Sequence, residues 1–133
     1  MKNKMFSVGF IGIMLVIGIM VIGCSNETTG GSSGPKTVTI KYQLTGTVAT
    51  ANSLSYKNST GGTDSLSNVT LPWEKTLSVT IEKNQGFYAT LTASNTSGSL
   101  TAKIFVDGTE VKNVTSSGSG YFTVVALESI TNY

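Results

Sequence analysis

The chain has 133 residues, of which 12% are charged, with nine Lys, no Arg and no His. That length suits one domain, and because Lys2 and Lys4 lie in an apolar leader, the remainder carries seven Lys against seven acids and is formally neutral. A neutral domain without Arg does not suit a nucleic-acid partner, whose phosphates must be neutralised. Without His, Arg or a second thiol the usual acid–base, nucleophilic and metal-ligating groups are missing, so no enzyme, no cofactor and no metal site is expected.

The leader comes first. Lys2 and Lys4 make a short positive start, and residues 5–23 are almost wholly apolar, broken only by Ser7 and several Gly. The run ends in Val21, Ile22, Gly23 and Cys24, the pattern of a lipobox. Its chemistry explains the spacing: the thiol takes a diacylglycerol as a thioether, and a peptidase then cuts just before the modified Cys. The residue before the cut must be small, as Gly23 is, and Ile22 and Val21 supply the aliphatic positions ahead of it. The single Cys of the chain stands at that position. Residues 1–23 therefore read as a lipoprotein signal peptide. Cys24 is the lipid-attachment residue, and its palmitate-type chains hold the protein on the extracytoplasmic side of a membrane, in a periplasm or at the cell surface. With that thiol acylated, no disulfide is left to form. The alternative is a plain spanning anchor, since a run of about 20 apolar residues can cross a bilayer, with Lys2 and Lys4 keeping the N-terminus inside.

Residues 24–35 carry hardly an apolar side chain beyond Cys24 and Pro35, and the Gly/Ser/Thr-rich stretch 25–34 reads as a flexible tether. Ten such residues reach roughly 15–20 Å. Period-two patterning then begins, and residues 36–133 read as a β-domain. Val38, Ile40, Tyr42 and Leu44 alternate with polar residues. Residues 48–56 are a weaker strand, and Leu66 and Val69 mark another short one. Leu77, Val79 and Ile81 follow, then Phe87, Ala89, Leu91 and Ala93, then Leu100, Ala102, Ile104 and Val106. Asp107 and Gly108 are the signature of a tight hairpin, residues 109–114 return from it, and residues 121–128 close the series. Glycines punctuate it at 46, 61–62, 86, 98 and 118–120. Seven or eight short strands at this spacing predict an antiparallel β-sandwich. Its core is expected to hold Ile40, Tyr42, Leu77, Val79, Leu91, Leu100, Ile104 and Val124.

The stretch 68–126 resembles the MmpS family of small mycobacterial membrane proteins. The resemblance is carried by Val69-Thr70-Leu71-Pro72-Trp73-Glu74-Lys75-Thr76, by Ala93-Ser94-Asn95, by Gly98-Ser99-Leu100-Thr101-Ala102-Lys103-Ile104 and by Val106-Asp107-Gly108. It continues in Ser116-Ser117-Gly118 and Tyr121-Phe122-Thr123-Val124-Val125, and more loosely in residues 38–46. It implies an immunoglobulin-like sandwich held at the membrane. It also implies an accessory role beside large proton-driven exporters of the resistance–nodulation–division (RND) type, which move lipids and siderophores. Two departures stand out. Members of the family often carry Cys where this chain has Ala102 and Ala126, and their usual anchor is a spanning helix rather than a lipobox.

The carboxylates are scattered. Asp64 and Asp107 fall in apparent turns, where Asp serves backbone geometry, and Glu74, Glu82, Glu110 and Glu128 belong to separate strands or strand ends. Trp73 reads either as a plug closing one end of the sandwich or as an aromatic anchor for a partner. Tyr88 and Phe105 fall on outer faces, where they are cross-strand neighbours or part of a partner-binding patch. Asn26, Asn58, Asn68, Asn95 and Asn113 each open an Asn-X-Ser/Thr triplet, which a chain so rich in Ser and Thr produces by chance. Two functions fit: a non-catalytic module that docks an RND-type transporter or another envelope protein, or a structural or adhesive surface lipoprotein unrelated to transport.

Overall fold

The computed structural model describes residues 34–133, so the leader, Cys24 and most of the tether lie outside the described residues. Eight strands account for most of what is described: β1 (Lys36–Gly46), β2 (Thr50–Lys57), β3 (Thr63–Thr70), β4 (Trp73–Ile81), β5 (Gln85–Asn95), β6 (Gly98–Val106), β7 (Thr109–Gly118) and β8 (Phe122–Asn132). They form two four-stranded sheets, ordered β4-β1-β6-β7 and β3-β2-β5-β8, with every neighbouring pair antiparallel. The fold is the all-β antiparallel sandwich that the alternation implies.

The core lies between the sheets and is built from the apolar set of each strand. Val38, Ile40, Tyr42 and Leu44 of β1 are buried to 1% exposure or less. They face Leu91 and Ala93 of β5 and Val124 and Ala126 of β8, which are equally buried. Of the expected core residues only Leu77 falls short, being half-buried. The reason is position: β4 is an edge strand, and the inner face of an edge is only partly covered.

Several local features shape this frame. Asp107 and Gly108 both have positive φ, 49° and 82°, as a two-residue hairpin turn requires. Asp107 also ties the turn to β1: its Oδ1 accepts from the Thr39 N–H at 2.8 Å, and its own N–H donates to the Thr39 carbonyl at 2.8 Å. Gly98 has φ 84°, and a Cβ there would lie 2.6 Å from the Val48 side chain, so only Gly fits. In the β2–β3 ladder, Ala51 pairs with Val69 and Leu54 with Leu66, but Asn52 and Asn68 drop out of the pairing. The inward set therefore slips by one residue on both strands at once. β7 and β8 run further than the sequence pattern suggests, to Gly118 and Asn132. At the end of β8 the Asn132 side-chain amide donates to the carbonyls of Gly34 at 3.1 Å and Ile81 at 2.9 Å, closing the end of the sandwich at which the chain enters.

Candidate functional site

The three aromatic residues that the sequence singles out occupy three different surroundings. Trp73 opens β4 and pairs with Leu44, so it shares the inward face of its sheet. It is half-buried at the rim, with its ring 5.4 Å from that of Tyr56 at an interplanar angle of 45°. Tyr56 in turn stands 5.6 Å from Tyr42. The three rings make a series running from the centre of the core to its edge. Trp73 thus closes one margin of the sandwich, and its exposed part borders the β3–β4 connection, where Leu71–Pro72 is a cis peptide.

Phe105 lies on the outer face of the same sheet, with the Lys41 ammonium 5.0 Å from the ring centroid, a cation–π contact. Lys41 is also 3.6 Å from Glu74. Tyr88 projects from the outer face of the other sheet and is largely exposed. Tyr88 and Phe105 therefore point in opposite directions, and with Trp73 they form no single patch.

The described residues leave their titratable side chains scattered rather than gathered in one cleft. A cleft of about 260 Å³ opens between residues 59–61, the end of β4 and the start of β5, and Glu82 is the one ionisable residue lining it. Among the described residues no three of His, Cys, Asp and Glu gather as metal ligands, and no helix is long and apolar enough to cross a membrane. Two of the Asn-X-Ser/Thr triplets have a local structural use. The Asn58 Oδ1 accepts from the Thr60 and Gly62 N–H groups, organising the β2–β3 turn. Asn95 is buried, and its side-chain amide donates to the Thr50 and Ser97 carbonyls.

A different surface feature lies apart from the three aromatic residues that the sequence singles out. Val125 and Leu127 are exposed on the same outer face as Tyr88 in the β3-β2-β5-β8 sheet, and Tyr121 is exposed just before β8, at the other end of that strand from Tyr88. The signal was available in residues 124–127, an unbroken apolar run in a strand whose neighbours alternate; such a run puts apolar groups on both faces at once.

Comparison with known families gives a match to the model described as Mycobacterium membrane protein, over residues 12–130. The match takes in part of the apolar leader and nearly all of the sandwich. The chain belongs to this family. As a member of this MmpS-type family it is a membrane-associated protein. No curated protein matches the sequence.

Proposed function

We propose that this family member is a non-catalytic accessory module of a membrane export system, held outside the cytoplasmic membrane by lipid on Cys24. The observation that carries the reading is the extent of the family match, which runs from within the apolar leader into the last strand. The MmpS type is a companion of RND-type exporters, as the resemblance implies, and the sandwich offers surface rather than chemistry. Its ionisable groups are paired on outer faces or scattered at edges, as suits a domain that binds through a face.

The direct test is affinity purification of the full chain from detergent-solubilised membranes. Co-purification of a large proton-driven exporter is the expected result. Recovery of the chain with surface polymers or adhesion proteins and no transporter would favour a structural or adhesive lipoprotein instead. The anchor has its own test. Mass spectrometry of the mature protein should find an acylated N-terminal Cys24, and Cys24→Ser should leave an uncleaved precursor. A mature protein that still begins at Met1 would make the leader a spanning helix.

A further inference from the structure

The two outer faces of the sandwich are chemically unlike. On the β4-β1-β6-β7 sheet, charge answers charge. Lys41 is shared between Glu74 and the Phe105 ring, and the Lys103 ammonium donates to Glu110 at 3.0 Å. The outward positions of the β3-β2-β5-β8 sheet hold Ser, Thr and apolar groups. Lys57 is the one charged residue among them, and it is tied to the Gly61 carbonyl at 3.0 Å. The two acids of that sheet, Asp64 and Glu128, pair with Tyr56 and Ala89 and so take inward-facing positions. No carboxylate projects from this face.

Along its β5–β8 half the apolar groups form a band. The register sets Tyr88 opposite Ser129, Leu127 opposite Thr90 and Val125 opposite Thr92, all on the outer side. Tyr121 continues the band, its hydroxyl close to the Ser94 and Thr123 side chains. Tyr88, Leu127, Val125 and Tyr121 are 61%, 50%, 51% and 74% exposed. They make up most of the large apolar side chains that the domain leaves in water, gathered on one face. Clustering of this kind marks an interaction surface.

The path of the chain indicates what covers it. Asn132, the last residue of β8, holds Gly34, so the segment leading back to Cys24 departs from the end where this band finishes. The ten residues from that Cys to Gly34 span at most about 33–36 Å when fully extended, no more than the length of β8 itself, about 36 Å. A membrane at the far end of so short a connection is present at high effective concentration, and a face of modest affinity is enough to settle on it.

We propose that the β5–β8 face lies on the membrane surface to which the chain is tethered. Tyr88 and Tyr121 sit at headgroup level, where amphipathic rings are favoured. Val125 and Leu127 press into the boundary of the acyl region, and Lys57 stands among the phosphates. The proposal rests on the membrane attachment argued above and adds an orientation to it: the charged sheet faces away from the bilayer, open to a protein partner.

Trp73 is the only Trp in the chain, which makes the test clean. The full-length protein is reconstituted in phosphatidylcholine–phosphatidylglycerol vesicles with brominated acyl chains, in two Trp73→Phe backgrounds. One carries Leu127→Trp, and the other carries Thr101→Trp on the opposite face. Flotation with the vesicles reads the attachment, and bromolipid quenching reads the orientation. The expected result is flotation of both, with quenching severalfold greater at position 127 than at 101. Equal quenching at the two positions would overturn the orientation. So would a Trp at 127 shielded from acrylamide but not quenched by bromolipid, which would mean a second copy of the chain covers the face. A chain that fails to float would bring down the attachment itself, and the docked face with it. Should Trp73→Phe fail to fold by circular dichroism, the same substitutions in the unaltered background are read as the increment over Trp73.

Discussion

Tyr42 sits at the middle of β1 with no exposure, the innermost of the Tyr42–Tyr56–Trp73 ring series. Its hydroxyl is buried without a hydrogen bond of normal geometry. Loss of water around it raises its pKa, and the Thr90 backbone offsets that only in part. A buried donor without a partner costs roughly 1–3 kcal/mol. Tyr42→Phe keeps the ring and removes the donor, so urea unfolding should show stability unchanged or raised by about 1 kcal/mol. A loss of that size would mean the hydroxyl has a partner worth keeping. The Glu110 carboxyl is the opposite case. Hydrogen bonds from Lys103 and then Asn113 hold it below the usual carboxylate range. A folded-state pKa below the unfolded value gives a contribution that is present above the unfolded pKa and lost as pH falls through the folded one. Stability should therefore decline slightly on acidification below about pH 4–5, and Glu110→Gln should remove that part of the slope. The pair is exposed and the effect small, so the decisive measurement is an NMR titration. A Glu110 that protonates at or above the ordinary carboxylate pH would refute it. Neither arrangement could be read from the sequence, because the ring series joins three strands and Lys103 meets Glu110 only across a hairpin.

The edge strands share a device that emerges only once their order is known. In β3, β4, β7 and β8 one charged residue pairs with a buried neighbour and so takes an inward-facing position: Asp64 beside Tyr56, Lys75 beside Tyr42, Lys112 beside Ile104 and Glu128 beside Ala89. The central strands place no charge there. An inward-facing charge at an edge is a barrier to edge-to-edge pairing, because a second sheet would have to bury it. β3 and β4 carry one acid and one base, and so do β7 and β8. Replacing Lys112 and Glu128 together by Val should leave the melting temperature nearly unchanged, since neither residue is fully buried. It should also raise self-association markedly, as sedimentation velocity would report. A doubly substituted protein that sediments like the unaltered one would show that the edges are protected in some other way. The same strands explain where sequence patterning was strong and where it was weak. β1, β5 and β6 lie inside their sheets and alternate in sequence, so their burial follows the pattern along β1, β6 and most of β5, which departs from it only at its end, where the outward Ser94 is buried as well. β2 and β3 lose the period at Asn52 and Asn68, where Asn68 takes φ 51°. Leu66 and Val69 are three residues apart yet share a face, which no period-two pattern can encode.

At the scale of the whole molecule, the sandwich was legible from strand spacing, whereas the division of labour between its faces was not. Tyr88 and Phe105 both read as outward-facing, and both are, but the sheet order sends them to opposite sides. Ala102 and Ala126 are the counterpart inside. Both are fully buried. Ala102 pairs with Leu44 in one sheet and Ala126 with Leu91 in the other, so the two side chains point inward from β6 and β8 across the sandwich. The resemblance to the MmpS family implies Cys at these places, and an inter-sheet bridge needs inward-facing positions of this kind. A disulfide also requires Cα atoms roughly 4.4–6.8 Å apart. Small residues on both sheets are what the vacated positions of such a bridge would hold, because a larger pair would overfill the gap between the layers. Ala102→Cys with Ala126→Cys should then oxidise spontaneously outside the cytoplasm. The closed loop of about 25 residues is worth roughly 3–3.5 kcal/mol in the chain-entropy model before any strain, enough to raise the melting temperature of a domain this size by well over ten degrees. Thiol titration after oxidation decides the matter. No free thiol and a higher melting temperature are expected, with each single Cys variant melting near the unaltered protein. Two free thiols in a folded double variant would show that β6 and β8 meet at other positions, and the family register of the C-terminal half would have to be redrawn.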